Sequence, residues 1–295
     1  MSATVTATAP SHELLASFAR NRVALGALVL LAAIVLAAVL APVISPQNPY
    51  NLAELDILDS KLAPGAKSVE GKTFLLGTDE QGRDMLSAIL YGLRISLSVG
   101  ITSTFIALTL GMAIGLVAGY AGGWVDAIIM RIVDLQLSFP SILIALVLLA
   151  VLGQGVDKIV IALVTVQWAY YARTVRGNAL VEKRKEYVDA ARTLAYSTAR
   201  IVYRHILPNC LPPLIVVATV QVAHAIALEA TLSFLGLGMP ITSPSLGLLI
   251  SNGYAHLLSG KYWMSFFPGV ALLLTIVAIN LVGDHLRDVL NPRLK

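Results

Sequence analysis

Long apolar runs separated by short polar stretches dominate this chain. A bilayer-spanning helix requires about 20 mostly apolar residues. Runs of that kind extend from about Val23 to Ile44, Ile95 to Ala118, Ala127 to Leu152, Pro212 to Leu237 and Phe266 to Val282. A shorter run, about Val156 to Tyr171, contains Gln167 and Trp168. The pattern predicts an all-α integral membrane protein with six transmembrane helices. The first run exceeds the roughly 7–15 residues of a signal-peptide core, so it reads as an uncleaved membrane anchor.

One stretch breaks the pattern. Between Glu186 and Asn209 the chain alternates cations with small and aliphatic residues, after the basic run Lys183-Arg184-Lys185 and before Pro208, which is expected to halt a helix. Tyr187, Ala191, Leu194, Thr198, Ile201, Val202 and His205 recur at helical spacing. Asp189, Arg192, Thr193, Tyr196, Arg200 and Arg204 fall largely on the opposite side. The expected element is a helix with one face on the transmembrane bundle and the other toward water or a partner protein. An interfacial helix lying on anionic lipid is the competing reading. Glu186 and Asp189 interrupt its basic face, and the small Ala190 and Ala191 invite close approach by another chain.

Composition agrees with a bilayer. Of 295 residues, 57% are hydrophobic and only 13% charged, with mean hydropathy +0.79, where a soluble domain carries about a quarter charged residues. The net charge of +4 needs no nucleic acid, because membrane proteins retain Lys and Arg in their cytoplasmic loops. With the N-terminus inside, that side receives Arg20, Arg22, Arg131, Arg173, Arg176, Lys183, Arg184, Lys185, Arg192, Arg200, Arg204, Arg287, Arg293 and Lys295. The outside receives Lys61, Lys67, Lys72, Arg83, Arg94, Lys158 and Lys261, a bias of about two to one. Both termini and the polar island are therefore expected in the cytoplasm. The expected organisation is a cytoplasmic segment 1–22, a first helix and external loop 23–94, a core transmembrane unit 95–285, and a cytoplasmic tail 286–295. The single cysteine, Cys210, excludes an internal disulfide framework.

Several elements together resemble one family, the bacterial ABC-importer permeases of the dipeptide/oligopeptide/nickel branch. The island resembles their Glu-Ala-Ala loop: Asp189-Ala190-Ala191 matches with Asp for Glu, Ala195 stands at the family glycine, and Arg204 to Asn209 reads RHILPN, as that branch does. LGTDEQGRD (Leu76 to Asp84), AGYAGGWVD (Ala118 to Asp126), EATLSFLGLG (Glu229 to Gly238) and GDHLRDVLNPRL (Gly283 to Leu294) resemble further elements of the branch, in the same order. The resemblance implies the type I importer permease fold and an island that forms a coupling helix on a cytoplasmic ATPase subunit. Glu186, Tyr187, Asp189, Ala190, Ala191, Arg192, Ala195, Arg200, Arg204, His205 and Pro208 are the expected coupling residues. The implied partners are a second homologous permease subunit, two ATPase subunits, an external substrate-binding protein and the lipid bilayer. ATP and Mg would sit on the partner subunits, with no cofactor on this chain. Because an alanine in a left-handed conformation costs about 1–2 kcal/mol, Ala195 is expected to be helical.

The remaining signals are weaker. Gly65 to Thr73 resembles a phosphate loop only superficially. The glycine required five residues before Gly71-Lys72 is Ala66, so the chain is not expected to hydrolyse ATP. Gly111, Gly115 and Gly119 form a bare stripe suited to close helix packing. Gly122 and Gly123 suggest a tight turn, and Pro140 a kink in the third span. Glu229 in an apolar span needs a polar partner. With Gln221 and His224 it could share one broad face, lining a translocation path or gate or forming a structural network. Asp79, Glu80, Arg83 and Asp84 suit either a partner contact or a self-contained turn. The histidines form no ligand-spaced cluster, and no metal site is expected. A membrane enzyme would need a motif such as HExxH or GxSxG, which the chain lacks. A self-sufficient secondary transporter would show an internal repeat with paired broken helices, and would leave the island unexplained.

Overall fold

A computed structural model describes residues 20–290 apart from 52, 54, 69, 70 and 244. The expectations for residues 1–19, for Arg293 and Lys295, and for the end of the GDHLRDVLNPRL element lie outside the described residues. The architecture is helical, with only isolated bridges at Lys67–Thr73 and Thr78–Asp84 among the described residues.

Helix α1 (Arg22–Ile44) begins where the Asn21 side chain accepts hydrogen bonds from the amides of Val23 and Ala24 at 3.0 and 3.2 Å. It is apolar all round and little buried by its neighbours, as a lipid-facing helix should be. Helix α2 (Met85–Ala121) is capped by Asp84, which accepts from the Ser87 amide at 2.8 Å and the Ser87 hydroxyl at 2.6 Å. Its 37 residues make it about 55 Å long. Gly122 and Gly123, both at positive φ (67° and 55°), then reverse the chain. Helices α3 (Gly123–Ser138) and α4 (Ser141–Leu152) follow, meeting at 89° across Phe139 and Pro140. Pro140 thus breaks the expected third span rather than merely kinking it, since proline has no amide hydrogen for the helical ladder. Helix α5 (Val156–Glu182) returns along α2.

After the island come α8 (Leu207–Phe234), the short α9 (Leu246–Tyr254) and α10 (Trp263–Leu290), separated from the α5 end by α6 (Glu186–Thr193) and α7 (Thr198–Ile201). Among the described residues, four helices, α1, α2, α8 with the preceding α7 and π turn, and α10, are long and apolar enough to cross a membrane, and the bent pair α3–α4 can supply a fifth crossing. By length and composition, the expected count of six is not confirmed among the described residues. The missing span lies in α5, which is long enough but carries Gln167, Arg173, Arg176 and Asn178. Its neighbours α2, α3, α4 and α8 pack against it. The sequence also gave no warning of α9, and α10 continues through residues 286–290, where a tail was expected.

The α2–α5 seam is the most extensive in the bundle. A Cβ at Gly111 would stand 2.4 Å from the Trp168 carbonyl and 2.6 Å from the Tyr171 Cβ, and one at Gly115 would stand 2.5 Å from the Ala172 carbonyl. At Gly119 it would meet the Ala179 Cβ at 2.9 Å. Bare glycines let the two backbones touch.

The two ends of the bundle differ in character. At one end the loop after α1 folds on itself and onto the α8–α10 connections. The Arg83 guanidinium donates to the Ile241 carbonyl at 2.7 Å, and the Trp263 indole N–H donates to the Thr78 carbonyl at 3.2 Å. Asp79 accepts from the amides of Gln81 and Arg83, both at 2.9 Å, beside the Arg83 guanidinium. Both side chains are buried, and burial pushes the Asp79 carboxyl up and the Arg83 guanidinium down. The expected Asp79–Arg83 pairing within the turn is present, and Arg83 also fastens the turn to Ile241. Glu80 keeps partial exposure and pairs with His256. At the opposite end, Arg176 makes a two-pronged contact with Asp126 (2.9 and 2.6 Å), and Lys183 reaches the Tyr120 carbonyl.

Replacing Gly111 with Ala is expected to destabilise the seam by about 1–3 kcal/mol, because the added methyl meets backbone atoms that cannot rotate away. Gly26→Ala, with nothing within 4 Å, serves as the control. Thermal unfolding of the detergent-solubilised protein would show a lowered Tm for the first substitution and an unchanged one for the second.

Candidate functional site

The island lies at the same end as the Arg176–Asp126 pair and forms two helices, not one. Helix α6 starts with Glu186 and Asp189 in its first turn and ends with Arg192 in its last, a polarity that matches the helix dipole. Asp189 and Arg192 pair at 3.0 Å on the surface. The helix then stops in a Schellman motif. The Tyr196 amide donates to the Ala191 carbonyl at 3.1 Å and the Ala195 amide to the Arg192 carbonyl at 2.9 Å. This closure requires a left-handed residue, and Ala195 supplies it at φ 54°.

The expectation that Ala195 is helical is therefore wrong. Hydrogen bonding of the last-turn carbonyls outweighs the strain that a Cβ brings to this conformation, and the alanine keeps a turn suited to glycine. Because the chain reverses here, the single amphipathic face expected across the island does not exist. Val188, Ala191, Ile201 and Ile206 are the buried side chains, packed on Leu116, Tyr171, Val175, Ala179, Cys210 and Leu214. Leu194, placed on the inner face by helical spacing, is exposed because it lies in the turn.

Pro208 does not halt a helix either. Ser197 caps α7 by accepting from the Arg200 amide. A π-helical turn, Val202–Ile206, then carries the chain into α8, where Pro208 occupies the first turn and needs no amide partner. The wide π turn absorbs the change in phase between the island and the transmembrane helix.

Of the side chains expected to face outward, Asp189, Arg192, Thr193, Arg200 and Arg204 are exposed, whereas Tyr196 is half-buried against the apolar base. Glu186, Asp189, Ala190, Arg192, Arg200, Arg204 and Pro208 are all exposed, as is Ala195. Leu180, Lys183, Arg184, Asp189 and Arg192 line an open concavity of about 340 Å³. Arg200 lies 4.0 Å over the Tyr196 ring, which stacks on His205. Among the described residues, no cluster of His, Cys, Asp and Glu could hold a metal ion.

Glu229 sits toward the other end of α8 and is fully buried. Its carboxyl accepts from the Ser96 hydroxyl of α2 at 2.9 Å and the Ser233 hydroxyl at 2.7 Å, and Ser245, which caps α9, is a further partner. The surroundings are close: a Cβ at Gly247 would lie 2.2 Å from the Ala230 carbonyl, and one at Gly238 would lie 2.1 Å from the Ser233 hydroxyl. Gln221 is buried too, but His224 is exposed, so the three do not share one buried face. The serine partners were not anticipated: Ser233 stands one helical turn from Glu229, but Ser96 and Ser245 come from other elements, and nothing in the sequence connects those two to the carboxyl.

Residues 111–295 match the family described as binding-protein-dependent transport system inner membrane component. The chain belongs to that family. Residues 10–64 of this permease also match the N-terminal transmembrane domain of oligopeptide transport permease C. It is 39% identical over 287 residues to a di/tripeptide transport system permease of Pseudomonas aeruginosa, covering 97% of this chain and 93% of the relative. A dipeptide transport permease of Bacillus subtilis is 37% identical over 94% of this chain and 83% of its own length. A glutathione transport permease of Pectobacterium atrosepticum is 36% identical over 97% and 92%. The inward-facing MetNI methionine ABC transporter shares the fold, with TM-score 0.58 and 19% identity over 70% of this chain and 98% of the solved chain. The permease is thus an inner-membrane component of an ABC importer, a class that works with an ATPase and a substrate-binding protein.

Replacing Ala195 with Gly is expected to remove most of the strain of about 1–2 kcal/mol, offset in part by the freer unfolded chain. Slower hydrogen exchange at the amides of Ala195 and Tyr196 would show it. Ala195→Val is expected to speed the same exchange.

Proposed function

We propose that this permease is one of two transmembrane subunits of an ATP-driven importer for di- and oligopeptides, and that the island is its contact with the ATPase. The peptide substrate rests on the names of the relatives, two of which transport dipeptides or tripeptides. The same machinery with glutathione as cargo is the alternative supported by the third; nickel complexes and opine-like solutes have no such support here. The observation that carries the coupling role is the island's exposed polar surface on a buried apolar base. A helix fixed in this way can transmit a push, whereas a solvated loop would absorb it.

On this reading, both termini and the island face the cytoplasm, and the folded loop from Ser45 to Asp84 faces the binding protein. A second, homologous permease subunit completes the path. Two ATPase subunits carry ATP and Mg, close on one another when nucleotide binds, and displace the paired islands. This chain holds no nucleotide and performs no hydrolysis. Glu229 serves the gate as a fastening, tying α2, the end of α8 and the start of α9 near the external face; Gln221 and His224 belong to the path only where α8 faces it. Gly111, Gly115 and Gly119 keep α2 and α5 moving as a pair.

Proteoliposomes containing both permeases, the ATPases and the binding protein test this directly with radiolabelled dialanine. Asp189→Lys and Ala190→Trp are expected to lower uptake per ATP hydrolysed about tenfold, the effect of about 1.4 kcal/mol of lost coupling. Wild-type uptake in both variants would remove the island from the ATPase contact. Uptake of glutathione but not of dialanine by the wild type would reassign the cargo.

Glu229→Gln is expected to preserve assembly, since an amide still accepts at one oxygen, while lowering uptake. Uptake at the wild-type rate would leave the carboxyl with no essential role.

A further inference from the structure

The island's attachment to the bundle converges on one hydroxyl. Tyr187, in the first turn of α6, donates its phenolic hydrogen to Glu182 Oε2 at 2.6 Å, and Glu182 is the last residue of α5. The other oxygen, Oε1, takes the Lys185 ammonium at 2.6 Å. The phenol oxygen also accepts from Asn209 Nδ2 at 3.2 Å, and Asn209 lies in the first turn of α8. The second Asn209 hydrogen goes to the His205 carbonyl at 2.7 Å, inside the π turn. The ring of His205 is held between Tyr187 and Tyr196, with centroids 6.4 and 6.0 Å away. Glu182 is almost fully buried; partial burial of the phenol first, and then the Glu182 carboxylate, push the Tyr187 hydroxyl up, so it stays protonated and able to donate.

We infer that Glu182, Tyr187 and Asn209 form the joint through which the island moves α5 and α8 together. This inference rests on the coupling role proposed above and names the side chains that carry it. Removing the Tyr187 hydroxyl breaks both links at once, although Glu182 keeps Lys185 and Asn209 keeps the His205 carbonyl. Glu182 is an acceptor on α5, Asn209 a donor on α8, and the Tyr187 hydroxyl on α6 can serve both at once because it donates to one and accepts from the other. A salt bridge could join only two of these elements. The apolar contacts beneath the island resist separation but tolerate sliding, whereas these directed bonds fix the orientation of α6 against both helices. The bond to a carboxylate is the strong member. These are positioning residues, and the reaction step remains on the ATPase.

The test measures the joint without needing the cargo. The complete transporter is placed in nanodiscs with spin labels at Thr193→Cys in α6 and Ile215→Cys in α8, in a Cys210→Ser background, and distances are recorded with and without ATP and Mg. The wild type is expected to show one narrow Thr193–Ile215 distance, unchanged by nucleotide. Tyr187→Phe, which keeps the ring, and Glu182→Gln are each expected to broaden or shift that distance when ATP binds. The population holding the wild-type distance is expected to fall about tenfold, as for loss of one hydrogen bond to a charged group. The double variant is expected to be no worse than the more severe single one, because both remove the same joint. A wild-type distance that changes with ATP, or unchanged distances in both single variants, would overturn the inference. Failure of the underlying coupling role would appear separately, as ATPase subunits that bind Asp189→Lys transporter with unchanged affinity.

Discussion

The close approach of α2 and α5 decides where everything at the island end can sit. Three glycines on α2 let the α5 backbone lie against it, and any larger residue at Gly111 or Gly115 would force the two apart. That contact fixes the far end of α5, and therefore Glu182, relative to the rest of the bundle. It also holds one face of α5, with the buried Gln167, against neighbouring helices. In hydrocarbon the backbone must satisfy its own hydrogen bonds, so helices that pack without side-chain spacers are an efficient way to place polar groups inside.

On that base the island acts as a rigid, sharply turned piece. Its rigidity has three sources: an apolar underside, a Schellman closure with a left-handed alanine, and directed hydrogen bonds to two long helices. The strain at Ala195 is stored at the position where the chain must reverse to bring α7 and the π turn back to α8. Strained non-glycine residues persist where surrounding structure over-determines them, and here two backbone hydrogen bonds and the buried side chains of Val188, Ala191 and Ile201 on either side do so. The opposite end is built differently. There a folded loop, fastened by Arg83 to the connection before α9, and a buried Glu229 among serines close the bundle.

The apolar runs made four crossings plain before any coordinates, because a lipid-facing helix must be apolar nearly everywhere. The glycine stripe, the glycine pair at 122 and 123, and the exposed charges of the island were equally visible, since each reflects a local requirement. What stayed hidden depended on tertiary context. The helix from Val156 was expected, but the polar residues beyond Tyr171 hid its continuation to Glu182 against neighbouring helices. Pro140 and Pro208 mark similar signals with opposite outcomes: one separates two helices at a right angle, the other starts a helix, and only the flanking backbone distinguishes them. Ala195 was misread because its intrinsic preference is helical, while the carbonyls at the end of α6 demand a left-handed residue. Glu182 and Asn209 carried no motif of their own; they matter because the fold brings them to Tyr187.

Family membership places the chain in an importer, and the geometry suggests how motion reaches its transmembrane helices. The central claim is that the exposed face of α6 is where the ATPase meets this subunit. Photocrosslinking in intact cells, with a photoreactive amino acid at Arg192, tests it most directly. A nucleotide-sensitive adduct between this chain and the ATPase is the predicted result; adducts confined to lipid or to the external binding protein would contradict the account.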